Sequence, residues 1–389
     1  MSEWKIAKLI EVANIERAGV QPEQIKDGTI YVGLEHIETG GRFIGLKPVD
    51  NGELASSKFR FNEQHILYGK LRPYLAKIAC PEFSGICSTD ILPILPRSNV
   101  YRKFLFHFLR QPKMVDYANS RAVGVNLPRL SPSALANFEI PIPPLEEQRR
   151  IAEILDRAQS LISKRREAIG QLDTLSEAIF IEMFGDPLSN PNGFPIQKLG
   201  ELCSRVIDCP HSTPIYATKI TPYACVRSSD IQNSELVFSD VKYLELEEYK
   251  KRIERGVPQQ GDVIYCREGA RFGNAALLTN DTPLICLGQR MMLFRPETSK
   301  ANGEFIWGYL SNPIAYHQAL REVGGSASPH INIRDIRAFQ IPVPPLNRQC
   351  EFARRISAVN KLKASHRASL SELDALFASL QHRAFRGEL

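Results

Sequence analysis

The chain is written twice, and that repeat constrains its fold more than any other feature. Residues 138–148 read FEIPIPPLEEQ and residues 339–349 read FQIPVPPLNRQ. At a fixed offset of 201 positions Phe138 falls on Phe339, Pro141 on Pro342, Leu145 on Leu346 and Gln148 on Gln349. The same offset carries Phe104 to Phe305, Leu109 to Leu310, Pro112 to Pro313, Leu172 to Leu373 and Phe184 to Phe385. Upstream the offset drifts, through Tyr68 with Tyr265 and Ile37 with Ile231 to Lys8-Leu9 with Lys198-Leu199, as loops of unequal length require. Half a chain is too long for a solenoid repeat of about 20–50 residues. The unit is therefore a duplicated body followed by a duplicated tail, similar in the tail and diverged in the body. That is the pattern of two modules doing one kind of job on different targets.

Each body mixes short β-rich runs, such as Gly28 to Val32 and Asp262 to Tyr265, with a helical stretch, Tyr101 to Leu109 and its counterpart Glu304 to Leu310. Gly, Pro and Asn clusters interrupt the runs and mark turns, so an α+β class is expected. Each tail opens on Ile-Pro-X-Pro-Pro-Leu, a stiff extended lead-in because proline fixes φ and lacks an N–H. Residues 145–184 then contain no proline and one glycine, Gly170. Leu155, Ile162, Ile169, Ser176 and Met183 recur every seven residues, with Ala158, Arg165, Leu172 and Ile179 as the second stripe. The second tail has Ile356, Lys363, Leu370, Phe377 and Ala384, with Val359, His366, Leu373 and Leu380. Alternating spacings of three and four predict coiled-coil helices, each a rod of roughly 60 Å at about 1.5 Å per residue. Arg165, Lys363 and His366 interrupt the apolar stripes. Leu155, Ile162, Ile169, Leu172 and Ile179 are expected to pack against Ile356, Val359, Leu370, Leu373 and Leu380. If the rods pair, chain connectivity makes them antiparallel and relates the copies by a pseudo-two-fold axis. The expected division is a body at 1–143, a helix at 144–186, a body at 187–344 and a helix at 345–389.

Composition excludes several classes. Apolar residues make up 43% and charged residues 24% of the 389, which argues against a disordered chain. There is no run of about 18 apolar residues, so no membrane partner is expected. The opening MSEWKIAKLI mixes charge among its apolar positions and does not read as a signal peptide, so a cytoplasmic location is expected. The eight cysteines form no CxxC pair and no zinc-finger spacing, which suits reduced thiols and no metal site. There is no P-loop, no glycine-rich nucleotide or S-adenosylmethionine fingerprint, no Asn/Asp-Pro-Pro-aromatic loop, and neither HExxH nor GxSxG. Neither a catalytic residue nor a cofactor is expected. The adjacent Glu146 and Glu147 point to different faces of a helix and suit its first turn through the helix dipole.

Two different bodies on a rigid spacer answer a bipartite recognition problem, and here the residues resemble a known family. Ile140-Pro-Ile-Pro-Pro-Leu-Glu-Glu-Gln148 and Ile341-Pro-Val-Pro-Pro-Leu-Asn-Arg-Gln349, each followed by a long helix, resemble the specificity subunit of type I restriction–modification systems. Lys198-Leu199-Gly-Glu-Leu202, Gly261-Asp-Val-Ile-Tyr265 and Phe184-Gly-Asp-Pro187 support the likeness, which covers essentially the whole chain. The resemblance implies two target-recognition domains separated by two antiparallel conserved helices, and no catalysis in this subunit. It further implies double-stranded DNA with a bipartite site as target, two methyltransferase subunits as partners, and restriction subunits in the full complex. The residues alone leave open a self-contained DNA adenine methyltransferase or nuclease, and a coiled-coil scaffold that does not bind DNA.

The net charge of +6 is the sum of unlike parts: +4 over residues 1–140, −3 over 141–189, +1 over 190–340 and +4 over 341–389. A DNA-reading face must then be a local patch. In the first body Lys70, Arg72 and Tyr74 follow a predicted strand, and the counterpart segment holds Arg267, Arg271 and Asn274. A second loop, before the proline motif, holds Arg121, Asn126 and Arg129 in one copy and Ser326, His330 and Asn332 in the other. Arg and Lys can bond guanine edges or phosphates, and Asn can pair with adenine. Gly124 and Gly324-Gly325 allow close backbone approach.

Overall fold

The fold comes from a computed structural model and is described for residues 4–323 and 329–389. The chain forms two compact units, residues 1–165 with 369–389 and residues 166–368. The two long helices run Leu145–Phe184 and Leu346–Ala384. Each unit takes the half of one helix that follows its own proline motif, and the opposite half of the other.

The two units share one frame. In the first, a four-stranded antiparallel sheet orders Ala13–Ile15, Ile91–Pro96, Ile66–Gly69 and Ile78–Ala79. In the second, Cys203–Asp208, Met291–Pro296, Val263–Cys266 and Ala275–Leu277 follow the same order. Their central strands are apolar on both faces: Ile66–Gly69 and Val263–Cys266 are buried throughout. Each unit also has a two-stranded ribbon that the proline motif closes, Lys5–Lys8 with Glu139–Ile142 and Ile196–Lys198 with Gln340–Pro342. Divergence concentrates in the second sheet. The first unit builds five strands around the parallel pair Tyr31 and Ile86, the second three strands around the parallel pair Ala224 and Ile285.

The motif glutamine fastens helix to body. Gln148 is fully buried. Its Oε1 accepts from the Tyr101 N–H at 2.7 Å, and its Nε2 donates to the carbonyls of Asn99 and Pro143 at 3.1 and 2.8 Å. Gln349 repeats the arrangement with the Asn302 N–H and the carbonyls of Lys300 and Pro344. A primary amide offers two donors and an acceptor in one plane, so one side chain ties a carbonyl of the proline turn to an N–H and a carbonyl at the start of the body's own short helix.

Within each unit the two helix halves run antiparallel. In the first, Ile151, Ala152 and Leu155 share a core with Ala384, and Leu380 packs against it. There Phe385 meets Phe104 at 5.3 Å and Phe108 at 5.4 Å between ring centroids. In the second, Ile179, Phe180 and Phe184 share a core with Phe352, Ile356 and Val359, and Leu172 packs against it. Phe184 meets Phe305 at 5.5 Å, the equivalent of the Phe385–Phe104 contact. Ile162 is buried, while Ile169, Leu370 and Leu373 are half-buried. Lys363, an interruption in the predicted stripe, is buried in the second unit and joins Asp173 at 2.7 Å and Glu235. A buried ammonium between two carboxylates keeps its charge compensated.

The units fill one junction differently. At position 308 a glycine leaves room for Phe180 and Phe352, whose rings would lie 2.9 Å from a Cβ there. The equivalent residue of the first unit is the buried His107, whose Nε2 lies 2.8 Å from Asp156 Oδ1 while Lys103 donates to Oδ2 at 2.7 Å. Burial pushes the His107 imidazole below its ordinary range, outweighing the Asp156 contact that favours its charge. Burial also opposes ionisation of Asp156, but the hydrogen bonds from His107 and Lys103 prevail and hold its carboxyl below the usual range.

Two predictions follow from the packing. Gln148→Ala or Gln349→Ala should each cost about 2–3 kcal/mol, the penalty of buried unsatisfied backbone groups, read by urea denaturation. His107 and Asp156 both have folded pKa values below their unfolded ones. Their stabilisation is thus present above the unfolded values and lost as pH falls, beginning below about 6.5 for the histidine. Melting temperature measured from pH 7 to 5 should drop in the wild type, and His107→Gln should flatten that drop.

Candidate nucleic-acid interface

In the first unit the two predicted loops form one surface. The Ile66–Gly69 strand runs into Lys70, and there the chain turns through left-handed residues at Arg72 (φ 50°) and Ala76 (φ 47°). The Arg72 N–H donates to the Pro128 carbonyl at 2.7 Å, and the Leu130 N–H to the Lys70 carbonyl at 2.9 Å. Leu71 pairs with Arg129, and Arg129 with Val123 on its other side. Asp90 anchors the basic groups: Arg129 Nε lies 3.2 Å from its Oδ1 and Lys70 Nζ 3.9 Å. Arg72 and Asn126 are exposed, and Tyr74 is half-exposed. Arg121 lies flat on Tyr117, 3.4 Å from the ring centroid, a cation–π contact that fixes its direction.

The second unit makes the same join with the charges redistributed. Glu268 pairs with His330 across the backbone, the Gly269 N–H donates to the Pro329 carbonyl at 3.1 Å, and the Ile331 N–H to the Arg267 carbonyl at 3.0 Å. Here the acid is Glu268, with Arg290 Nε at 3.6 Å and His330 Nδ1 at 3.5 Å. His330 Nε2 lies 3.3 Å from Asn332 Oδ1, and Asn332 Nδ2 donates to Asp335 at 3.2 Å. Arg271 is exposed and Asn274 half-buried in the turn that follows the strand. Arg267 is buried against Asp208 (Nε to Oδ1 3.4 Å) and His211, so it supports the loop from beneath. Ser326 lies outside the described residues.

Sequence reasoning missed Asp90, Glu268 and Arg290. Arg290 is exposed and left-handed (φ 70°) at the turn before the Met291–Pro296 strand. Its counterpart is Asp90, so no shared residue type marked the position. A polar cavity of about 280 Å³ in the second unit, lined by Asp173, Ser176, Asn312 and Lys363, lies along the helices and not at these loops. Among the described residues there is no cluster of three or more His, Cys, Asp or Glu side chains placed to hold a metal, and no helix is long and apolar enough to cross a membrane.

A family model described as the type I restriction modification DNA specificity domain matches residues 1–171 and 218–375. The EcoDI type I restriction enzyme specificity subunit of Escherichia coli is 28% identical over 193 residues, 48% of this chain and 43% of that one, so the match spans less than half of that relative. The putative MjaX specificity subunit of Methanocaldococcus jannaschii is 23% identical over all of this chain and 94% of its own length. Two solved structures share the fold. One is a chain from a type I R-M system studied for complex assembly (TM-score 0.60, 21% identity, 100% of this chain and 99% of that one). The other is a type I restriction–modification S subunit from M. genitalium (TM-score 0.57, 13% identity, 98% and 96%).

The two arginines that follow the central strands should separate under mutation. Arg72→Ala, at an exposed position, should change stability by less than about 0.5 kcal/mol, whereas Arg267→Ala, which removes a buried side chain from its contacts with Asp208 and His211, should cost about 2–3 kcal/mol. Urea titration of both variants checks this.

Proposed function

The chain belongs to the type I restriction–modification DNA specificity family, and on that premise we propose that it is the subunit that selects the DNA sequence in such a system. The body at 1–143 reads one half of a bipartite duplex target and the body at 187–344 the other. The helices at 144–186 and 345–389 set the spacer and dock two methyltransferase subunits, and restriction subunits join in the full cytoplasmic complex. The chain contributes no catalysis of its own and takes no cofactor. One observation carries this reading. Two bodies built on the same four-stranded sheet each join the segment after the central strand to the segment before the proline motif, and set basic and amide side chains on that join.

The reading residues are Lys70, Arg72, Tyr74, Arg121, Asn126 and Arg129 for one half-site, and Arg271, Asn274, Ser326, His330 and Asn332 for the other. Arg267 acts as the buried support of the second set. Exposed arginines supply phosphate and guanine contacts, while the amides suit adenine. The local charge is modest, so affinity should lean on the partner subunits and fall with salt at a shallow slope.

The experiment is selection from randomised duplexes with the chain bound to its methyltransferase partner, followed by methylation mapping in cells with and without the chain. Enrichment of a split sequence with a fixed gap, methylated only when the chain is present, is expected. Absence of any enriched bipartite sequence overturns the proposal, as does methylation by the purified chain alone. Arg72→Ala should weaken binding about 5- to 100-fold if it makes a bidentate base contact, measured by gel shift on the selected duplex.

A further inference from the structure

The loop at 121–130 carries apolar side chains where a surface loop ordinarily carries polar ones. Val125 is 99% exposed, Val123 79% and Leu127 44%. The loop is nevertheless tightly built. Val123 and Arg129 exchange both backbone hydrogen bonds at 2.9 Å, a single bridge that closes residues 124–128 into a loop. Gly124 makes the turn at φ +116°, and a Cβ there would lie 3.0 Å from the Leu127 carbonyl oxygen. Lys70, Arg72, Arg121 and Arg129 flank the base of this loop through the pairing of Leu71 with Arg129. An apolar tip inside a cationic collar suits a surface that is anionic outside and apolar within, which describes duplex DNA approached along a groove.

The exposed aliphatic tip points to the major groove, about 12 Å wide, because only that edge carries the thymine C5 methyl. The residue types select the base pair. An amide side chain matches adenine at N6 and N7, and an aliphatic side chain matches the C5 methyl of the paired thymine, both on the major-groove edge. The tip reads Val125-Asn126-Leu127. At the constant offset of 201 the second copy has Ser326-Ala327-Ser328, with neither the amide nor a large aliphatic group.

We propose that the 124–128 tip enters the major groove of the half-site belonging to the first body and reads one A·T pair there, Asn126 taking the adenine and Val125 with Leu127 the thymine methyl. The inference rests on the proposed function and adds to it the groove, the base pair and an asymmetry between the half-sites.

The test uses the full chain with its methyltransferase partner on the selected duplex. Each thymine is replaced in turn by deoxyuridine, which removes only the methyl, and each adenine by 7-deazaadenine, which removes only N7. In the wild type, one position of one half-site should lose about three- to fivefold in affinity on losing the methyl, and its paired adenine should be sensitive to loss of N7. The methyl effect should vanish in Val125→Ser/Leu127→Ser and the N7 effect in Asn126→Ala, while the other half-site responds identically in all proteins. Equal uracil penalties in wild type and variant overturn the inference. So does a variant that weakens assembly with the methyltransferase subunit and leaves base preference intact, which would make the tip a protein contact. If the wild-type complex shows no sequence preference, the reading of the chain as a specificity subunit has failed, and this inference with it.

Discussion

Two buried glutamine side chains hold the architecture together. Pro143-Pro144 and Pro344-Pro345 bring the chain out of a sheet ribbon and into a long helix, and a proline-rich turn strands backbone groups that the helix cannot satisfy. Gln148 and Gln349 each bond one carbonyl of that turn, Pro143 or Pro344, together with an N–H and a carbonyl of the body, Tyr101 and Asn99 or Asn302 and Lys300. The helix therefore leaves its body in one fixed direction. The repeated motif is accordingly a structural joint, and its likeness between copies follows from backbone geometry that any pair of bodies on this frame must satisfy.

The reading surface is built on a different principle. Both units bring the same two segments together beside the same central strand, yet the charges are dealt out differently. Asp90 gathers Lys70 and Arg129 in one unit, and Glu268 gathers Arg290 and His330 in the other. In each case an acid gathers two nitrogen-bearing side chains at an exposed loop, but the acid and a base have exchanged places between the turns that flank the two central strands. A shared scaffold with interchangeable side chains is what two targets of different sequence require. The second sheets diverge further, five strands against three, because nothing in the helix joint constrains them.

Much of this was legible in the chain. The absence of proline and the heptad spacing mark a long helix within 144–186, where Leu145–Phe184 is helical, and the offset of 201 pairs Phe104 with Phe305. The candidate loops were also found, but as four separate patches. Lys363 read only as a flaw in a stripe, because its compensating Glu235 lies on a hairpin of the second body that no helical period reports. Arg267 read as an exposed base-reader because its residue type and its place after a strand match those of Lys70, whereas its burial is set by Asp208 on an edge strand.

Periodicity, proline placement and self-similarity are local or translational properties of a chain, so the sequence by itself determined the duplication, the two helices, the proline joint and the family. Which side chains share a surface depends on strand order and on turns between residues far apart along the chain. The tertiary structure alone therefore decided that Leu71 meets Arg129 and Glu268 meets His330. It also decided that Arg267 turns inward and that Val125 stands clear of every other side chain at the tip of its loop.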